Sequence, residues 1–130
     1  MALRIVVIED DSSIQDLYRL LLETEGYHVI ISSTPHEDAT AVAALHPDLI
    51  ILDLLIGRKQ NGWHLLQQLK NAPLTASIPV LIVTAAVNFA QEWKEFIEFH
   101  NIPVVSKPFN IDDILALVKQ LLANTPDAIS

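Results

Sequence analysis

Ile5-Val6-Val7-Ile8 runs directly into Glu9-Asp10-Asp11, and Leu49-Ile50-Ile51-Leu52 runs directly into Asp53. Short, wholly apolar runs containing β-branched residues and closed by polar groups read as strands buried on both faces of a parallel sheet. Ligand sites of such sheets lie beyond the carboxyl ends of the strands, where the strand order changes direction. If these two strands are neighbours, three or four carboxylates meet in one crevice. Like charges ~4 Å apart repel by about 4 kcal/mol at an effective dielectric of about 20. Such a cluster calls for a cation, a shared proton or a function.

The rest of the chain supplies the other elements. Val29-Ile30-Ile31 reads as a second strand, Val80-Leu81-Ile82-Val83 as a fourth ending at Thr84, and Val104-Val105 as a brief fifth ending at Ser106-Lys107-Pro108. Ser12 or Ser13 is the expected cap of a first helix, whose Ile14, Leu17, Tyr18 and Leu21 share a face and whose stop is Gly26. Thr34-Pro35 has the form of a helix start, and His46-Pro47 ends that second helix. The polar stretch from Gly57 to Gly62 reads as a loop, followed by a third helix from about Trp63 to Lys70. Phe89, Trp93, Phe96 and Ile97 mark one face of a fourth helix, with Phe99 off that face. Asn110 caps a fifth, carrying Ile114, Leu117, Val118 and Leu121. Five strands alternating with five helices predict an α/β fold, a doubly wound five-stranded parallel sheet with right-handed crossovers. The common small order, 2-1-3-4-5, puts the switch point between strands one and three, the two that end on acids.

Composition narrows the function classes. The chain has 130 residues, 51% of them apolar and only three glycines, which suits one compact domain. Residues 1–123 read as that domain and 124–130 as a frayed tail. There is no cysteine, which excludes disulfides, thiolate catalysis and thiolate metal sites. The net charge is −8, and among the scattered basic residues only Arg58 and Lys59 are adjacent, so no basic footprint for nucleic acid exists. The first apolar run is too short for a signal peptide, and no stretch reaches the ~20 apolar residues of a membrane span. A cytoplasmic location is the expectation. The five histidines show no metal-ligand spacing and read as surface or boundary residues.

In the 2-1-3-4-5 order, the ends of strands one, three, four and five line one crevice. Glu9, Asp10, Asp53, Thr84 and Lys107 collect there, while Asp11 reads as an exposed loop or cap residue. Oxygen-only ligands from two or three carboxylates suit Mg2+. A lone carboxylate such as Asp53 can attack phosphorus to give an aspartyl phosphate. Lys107 and Thr84 can neutralise and hydrogen-bond phosphoryl oxygens. No glycine-rich phosphate loop follows strand one, so a nucleotide is not the expected ligand.

Ile5 to Asp11, Asp53 closing strand three, Thr84-Ala85 closing strand four, and Lys107-Pro108-Phe109 together resemble the receiver domain of two-component response regulators, the CheY-like, flavodoxin-like architecture. The resemblance covers nearly the whole chain in order and spacing. It implies that Asp53 accepts a phosphoryl group from a sensor histidine kinase or phosphotransfer protein. It implies that Glu9 and Asp10 hold Mg2+ with Asp53, helped by the backbone carbonyl of Leu55. It also implies that Thr84 and Lys107 sense the phosphoryl group and relay it to the face of helix four, strand five and helix five, where a downstream protein or a second copy docks. Such a domain labels itself from a phosphodonor but is not a turnover enzyme.

Three departures from the family pattern stand out. The loop after Asp53 is one residue longer than usual and lacks the usual proline. Val104 occupies the position of a frequent aromatic switch residue, so a rotating ring there is not the relay. Leu55 and Ala86, at positions that influence loss of the phosphoryl group, are apolar, and slow self-dephosphorylation is expected because neither side chain can orient water. Two other function classes fit the same residues: a phosphorylation-independent interaction module, and a Mg2+-dependent phosphohydrolase with an aspartate nucleophile. Sustained turnover of phosphate esters would distinguish the latter.

Overall fold

The computed structural model describes residues 2–32, 38–55, 61–85 and 91–123. Their strands are β1 (Arg4–Ile8), β2 (His28–Ser32), β3 (Leu49–Leu52), β4 (Val80–Thr84) and β5 (Val104–Ser106). The helices are α1 (Ser12–Thr24), α2 (Ala39–Ala43), α3 (Asn61–Asn71), α4 (Gln91–Phe99) and α5 (Ile111–Ala123). All strand pairs are parallel, in the order β2-β1-β3-β4-β5. The expected fold and strand order are those observed. The expected helix start at Thr34-Pro35, Phe89, most of the loop from Gly57, and the tail at 124–130 lie outside the described residues.

Alternation along the strands builds two cores. Val6, Ile8, Ile50, Leu52 and Ile82 face one side and pack with α2, α3 and α4 through Val42, Trp63, Leu66, Leu69 and Ile97. Ile5, Val7, Leu49, Ile51, Leu81 and Val83 face the other and meet α1 and α5 through Tyr18, Leu22, Ile114 and Val118. Both faces are covered, so these strands are apolar at every position rather than at every second one. Each fully buried aliphatic side chain contributes about 1.5–3 kcal/mol relative to exposure.

Local signals set the helix ends, with one correction. Asp11, not Ser12 or Ser13, caps α1: its Oδ1 accepts from the amides of Ser13 (2.9 Å) and Ile14 (3.1 Å). A carboxylate is favoured there because it satisfies two free amides at the positive end of the helix dipole, and both serines fall inside the helix. Gly26 terminates α1 as expected, at φ +92°, with its amide on the Glu23 carbonyl and that of Tyr27 on Leu22, a Schellman arrangement. Within the described residues α2 begins at Ala39 under an Asp38 cap whose Oδ1 accepts from the Ala41 amide. Asn110 caps α5 as expected, accepting from the Asp112 amide at 2.8 Å.

Register positions the acids. Ile8 pairs with Leu52, and the Asp53 amide donates to the Ile8 carbonyl at 3.1 Å, so Glu9 and Asp53 leave the sheet side by side. Thr84 pairs with Ser106, and the Lys107 amide donates to the Thr84 carbonyl at 3.0 Å. No helix among the described residues is long and apolar enough to cross a membrane.

Candidate functional site

Four strand ends converge on one crevice. Glu9, Asp10 and Asp53 each offer a carboxylate oxygen within 4.8 Å of the others. Glu9 and Asp53 are buried, and Asp10 is exposed. Glu9 is held by its own turn: its Oε2 accepts from the amides of Asp10 (2.9 Å) and Asp11 (3.3 Å), and its carbonyl accepts from Gln15 Nε2. Asp53 Oδ1 accepts from the Leu55 amide at 2.9 Å, which fixes the carboxylate's rotation and folds the chain back immediately after β3.

Lys107 supplies the compensating charge. Its Nζ lies 2.5 Å from Glu9 Oε1 and 2.9 Å from Asp53 Oδ2. Burial pushes the Glu9 carboxyl above its usual value, and the hydrogen bond from Lys107 offsets that only in part. Burial acts to lower the Lys107 ammonium, yet the bonds and charges of Glu9 and Asp53 outweigh it and hold the lysine above its usual value. The next residues anchor the loop that carries Lys107. Phe109 stacks on Tyr18 of α1, centroids 5.8 Å apart and planes 19° apart. Tyr18 is itself buried, and burial with the charges of Glu9 and Asp53 keeps its phenol protonated.

Thr84 is fully buried at the end of β4 and tied to Lys107 through its carbonyl. Thus Glu9, Asp10, Asp53 and Lys107 are brought together as the sequence suggests, and Thr84 ends the neighbouring strand with its backbone bonded to Lys107. Leu55 sits beside Asp53 with its side chain partly exposed, Val104 is half-buried against the α3–α4 core, and Ala86 lies outside the described residues. Asp11, read as an exposed loop or cap residue rather than a ligand, is the cap of α1 in place of the expected serines.

Two contacts were not visible in the sequence. One is the Lys107–Glu9 bond, since the lysine was expected to face a phosphoryl oxygen. The other is the approach of Gly62 in the first turn of α3, where a Cβ would lie 2.4 Å from the Asp53 carbonyl oxygen and 2.5 Å from Leu54 Cα. Its only sequence signal is a glycine closing the polar stretch, in a chain that has three.

The arrangement has the donor set for a hard divalent cation: carboxylate oxygens, two of the three acids buried, beside the Lys107 ammonium. It also presents a buried carboxylate next to a cation, the requirement for attack on a phosphoryl group.

Comparisons with known proteins agree. Residues 5–119 match the response regulator receiver domain family. The DNA-binding dual master transcriptional regulator RpaA of Synechocystis is 35% identical over 122 residues, covering 94% of this chain and 50% of that protein. The chain spans about half the length of the curated relatives it matches. A CheY-like receiver domain protein from Methanospirillum hungatei superposes with a TM-score of 0.76 at 26% identity, over 94% of each chain. The receiver domain of a sensor histidine kinase from Pseudomonas aeruginosa, solved with magnesium coordinated in its active-site cleft, has the same fold: TM-score 0.78 at 16% identity, over 95% of this chain and all of that one. Strand order, crevice and match over most of its length lead to one assignment: the chain belongs to the response regulator receiver domain family.

Proposed function

We propose that the domain, residues 1–123, is a phospho-acceptor switch in which Asp53 takes a phosphoryl group from the phosphohistidine of a sensor histidine kinase or phosphotransfer protein. The observation that carries this reading is Asp53 itself: buried, fixed through Oδ1 by the Leu55 amide, and bonded through Oδ2 to Lys107 beside two further acids. An Asp53 oxygen attacks phosphorus, the donor's P–N bond breaks, and its electron pair returns to the imidazole, which takes up a proton. Glu9, Asp10 and Asp53 would hold Mg2+, with the Leu55 carbonyl as a further ligand, and the magnesium-bound relative supports that assignment. The cation supplies charge neutralisation for the incoming phosphoryl group. Lys107 then holds one phosphoryl oxygen and Thr84 another.

The product carries about −1.5 to −2 charge where one carboxylate stood, enough to rearrange the groups around Lys107. The output is a changed protein-binding or self-association surface on α4, β5 and α5. In a cytoplasmic setting the kinase provides the input, and self-dephosphorylation is slow because Leu55 and Ala86 do not orient water. The test is intact mass after incubation with acetyl phosphate, with and without Mg2+. One added phosphoryl group is expected on the wild type with Mg2+, and none on Asp53→Asn or Asp53→Ala. Labelling that persists in both variants overturns the assignment.

A further inference from the structure

Val104 offers no ring to couple the site to α4, yet an unbroken series of rings runs through the core it packs in, from α3 along α4. It begins at the acceptor. Gly62 packs so closely on the Asp53–Leu54 backbone that a Cβ there would meet it at 2.4 Å, so the first turn of α3 has no slack against the residue carrying the carboxylate. The next residue, Trp63, is buried and stacks on Trp93 in the first turn of α4, centroids 4.2 Å and planes 28° apart. Trp93 meets Phe96 edge-on at 6.2 Å, and Phe96 lies 4.4 Å from the ring of His100. His100 in turn meets Phe99, whose side chain is 80% exposed at the far end of α4. The buried residue of α4 is Ile97, and Trp93 and Phe96 are half-buried. The helix is thus seated shallowly, with the indole pair joining its start to α3.

We propose that the Trp63–Trp93 stack is the mechanical link by which α4 responds to the chemical state of Asp53, in place of a switch residue on β5. This rests on the phospho-acceptor reading of Asp53. The Leu54-Leu55 turn is pinned by the bond from the Leu55 amide to Asp53 Oδ1, and modification of the carboxylate changes that acceptor. A shift of the turn bears on Gly62, which packs against it, because close-packed interiors transmit small displacements rather than absorb them. Trp63 follows Gly62 on the same rigid turn, and the stacking geometry with Trp93 changes with it. Offset stacking depends on relative ring position, so α4 is re-seated along with its ring.

The chain's two tryptophans are this pair, which makes the link directly observable. Stacked indoles give an exciton couplet in the far-ultraviolet circular dichroism. We expect a couplet in the unmodified protein with Mg2+, its absence in Trp93→Phe, and its change in proportion to the fraction labelled by acetyl phosphate, measured by intact mass on the same samples. In Asp53→Asn the couplet should not respond to the phosphodonor. By reciprocity, Trp93→Leu should shift the affinity for beryllofluoride with Mg2+, read by fluorine NMR, by about fivefold or more. Complete labelling with an unchanged couplet overturns the link and leaves the phospho-acceptor reading standing. Failure of the wild type to label overturns both. If Trp93→Leu does not fold, as judged by its melting transition, the couplet measured on wild type and Trp93→Phe still decides.

Discussion

Lys107 and Glu9, 98 residues apart in the chain, meet at 2.5 Å, and the same ammonium reaches Asp53. In the absence of a divalent cation this lysine is one positive charge shared by two buried acids. Removing one partner of a buried charge cluster leaves the other uncompensated, at a cost of about 3 kcal/mol. Lys107→Met should therefore lower the unfolding free energy by about 3 kcal/mol in metal-free buffer. Mg2+ should recover more stability in the variant than in the wild type, as compared by denaturant melts with and without the ion. Equal recovery would mean that the lysine is not the stand-in for a cation.

The raised pKa of Lys107 gives that contribution a pH window. Because the folded value lies above the usual 10.5, the stabilisation is fully present below 10.5 and is lost as pH rises through the folded value. The stability gap between wild type and Lys107→Met should be constant across neutral pH and close at alkaline pH. A gap that narrows between pH 7 and 9 would contradict this.

Asp11 gives the opposite sign. Its hydrogen bonds from Ser13 and Ile14 hold its carboxyl below the usual 3.8, so the cap's electrostatic contribution is present above 3.8 and is lost as pH falls through the folded value. Asp11→Ala should melt below the wild type at neutral pH, with the difference shrinking in acid. Asp11→Asn, which still accepts from the helix amides, should lie between them. A pH-independent difference would remove the charge from the explanation.

Two glycines should respond differently to alanine. At Gly26 nothing lies within 4 Å of a new Cβ, and the cost is only that of φ +92°, about 1 kcal/mol. At Gly62 the new methyl strikes the Asp53 and Leu54 backbone, an overpacking cost of about 1–3 kcal/mol. Gly62→Ala should also slow labelling by acetyl phosphate, whereas Gly26→Ala should not. Equal labelling rates would show that the acceptor turn tolerates displacement.

If Asp53 is phosphorylated as proposed, Leu55 is placed beside it to govern access of water to the phosphoryl group. A side chain able to orient water there should speed its loss, and Leu55→Asn should shorten the half-life by about tenfold, equivalent to about 1.4 kcal/mol of barrier. An unchanged half-life, measured by decay of the labelled mass, would show that Leu55 does not limit water.

The sheet and its order were legible because strands covered on both faces must be apolar throughout, and acids or Thr84 end those runs where the chain leaves the core. The corner of α1 was misread because three consecutive residues, Asp11, Ser12 and Ser13, are all good caps, and only the carboxylate's two amide bonds choose between them. The members of the crevice followed from topology, but their pairing did not. Strand register says that Lys107 ends near Glu9, not that its stem bends to bond it. Nor could the pattern of residues report the close approach of α3 to Asp53, since a glycine in a polar stretch serves a turn equally well.

The sequence separation within the crevice also bears on how closure of the sheet can be monitored. Glu9 leaves the first strand, Asp53 the third, and Lys107 the last, and the lysine is tied to Thr84 through the final ladder bond of the sheet. A chain still emerging from the ribosome, or one clipped before β5, carries the acids without their counter-charge. On the proposed phospho-acceptor reading, labelling of Asp53 would therefore report the fraction of molecules whose sheet has closed through β5 and brought Lys107 to the acids.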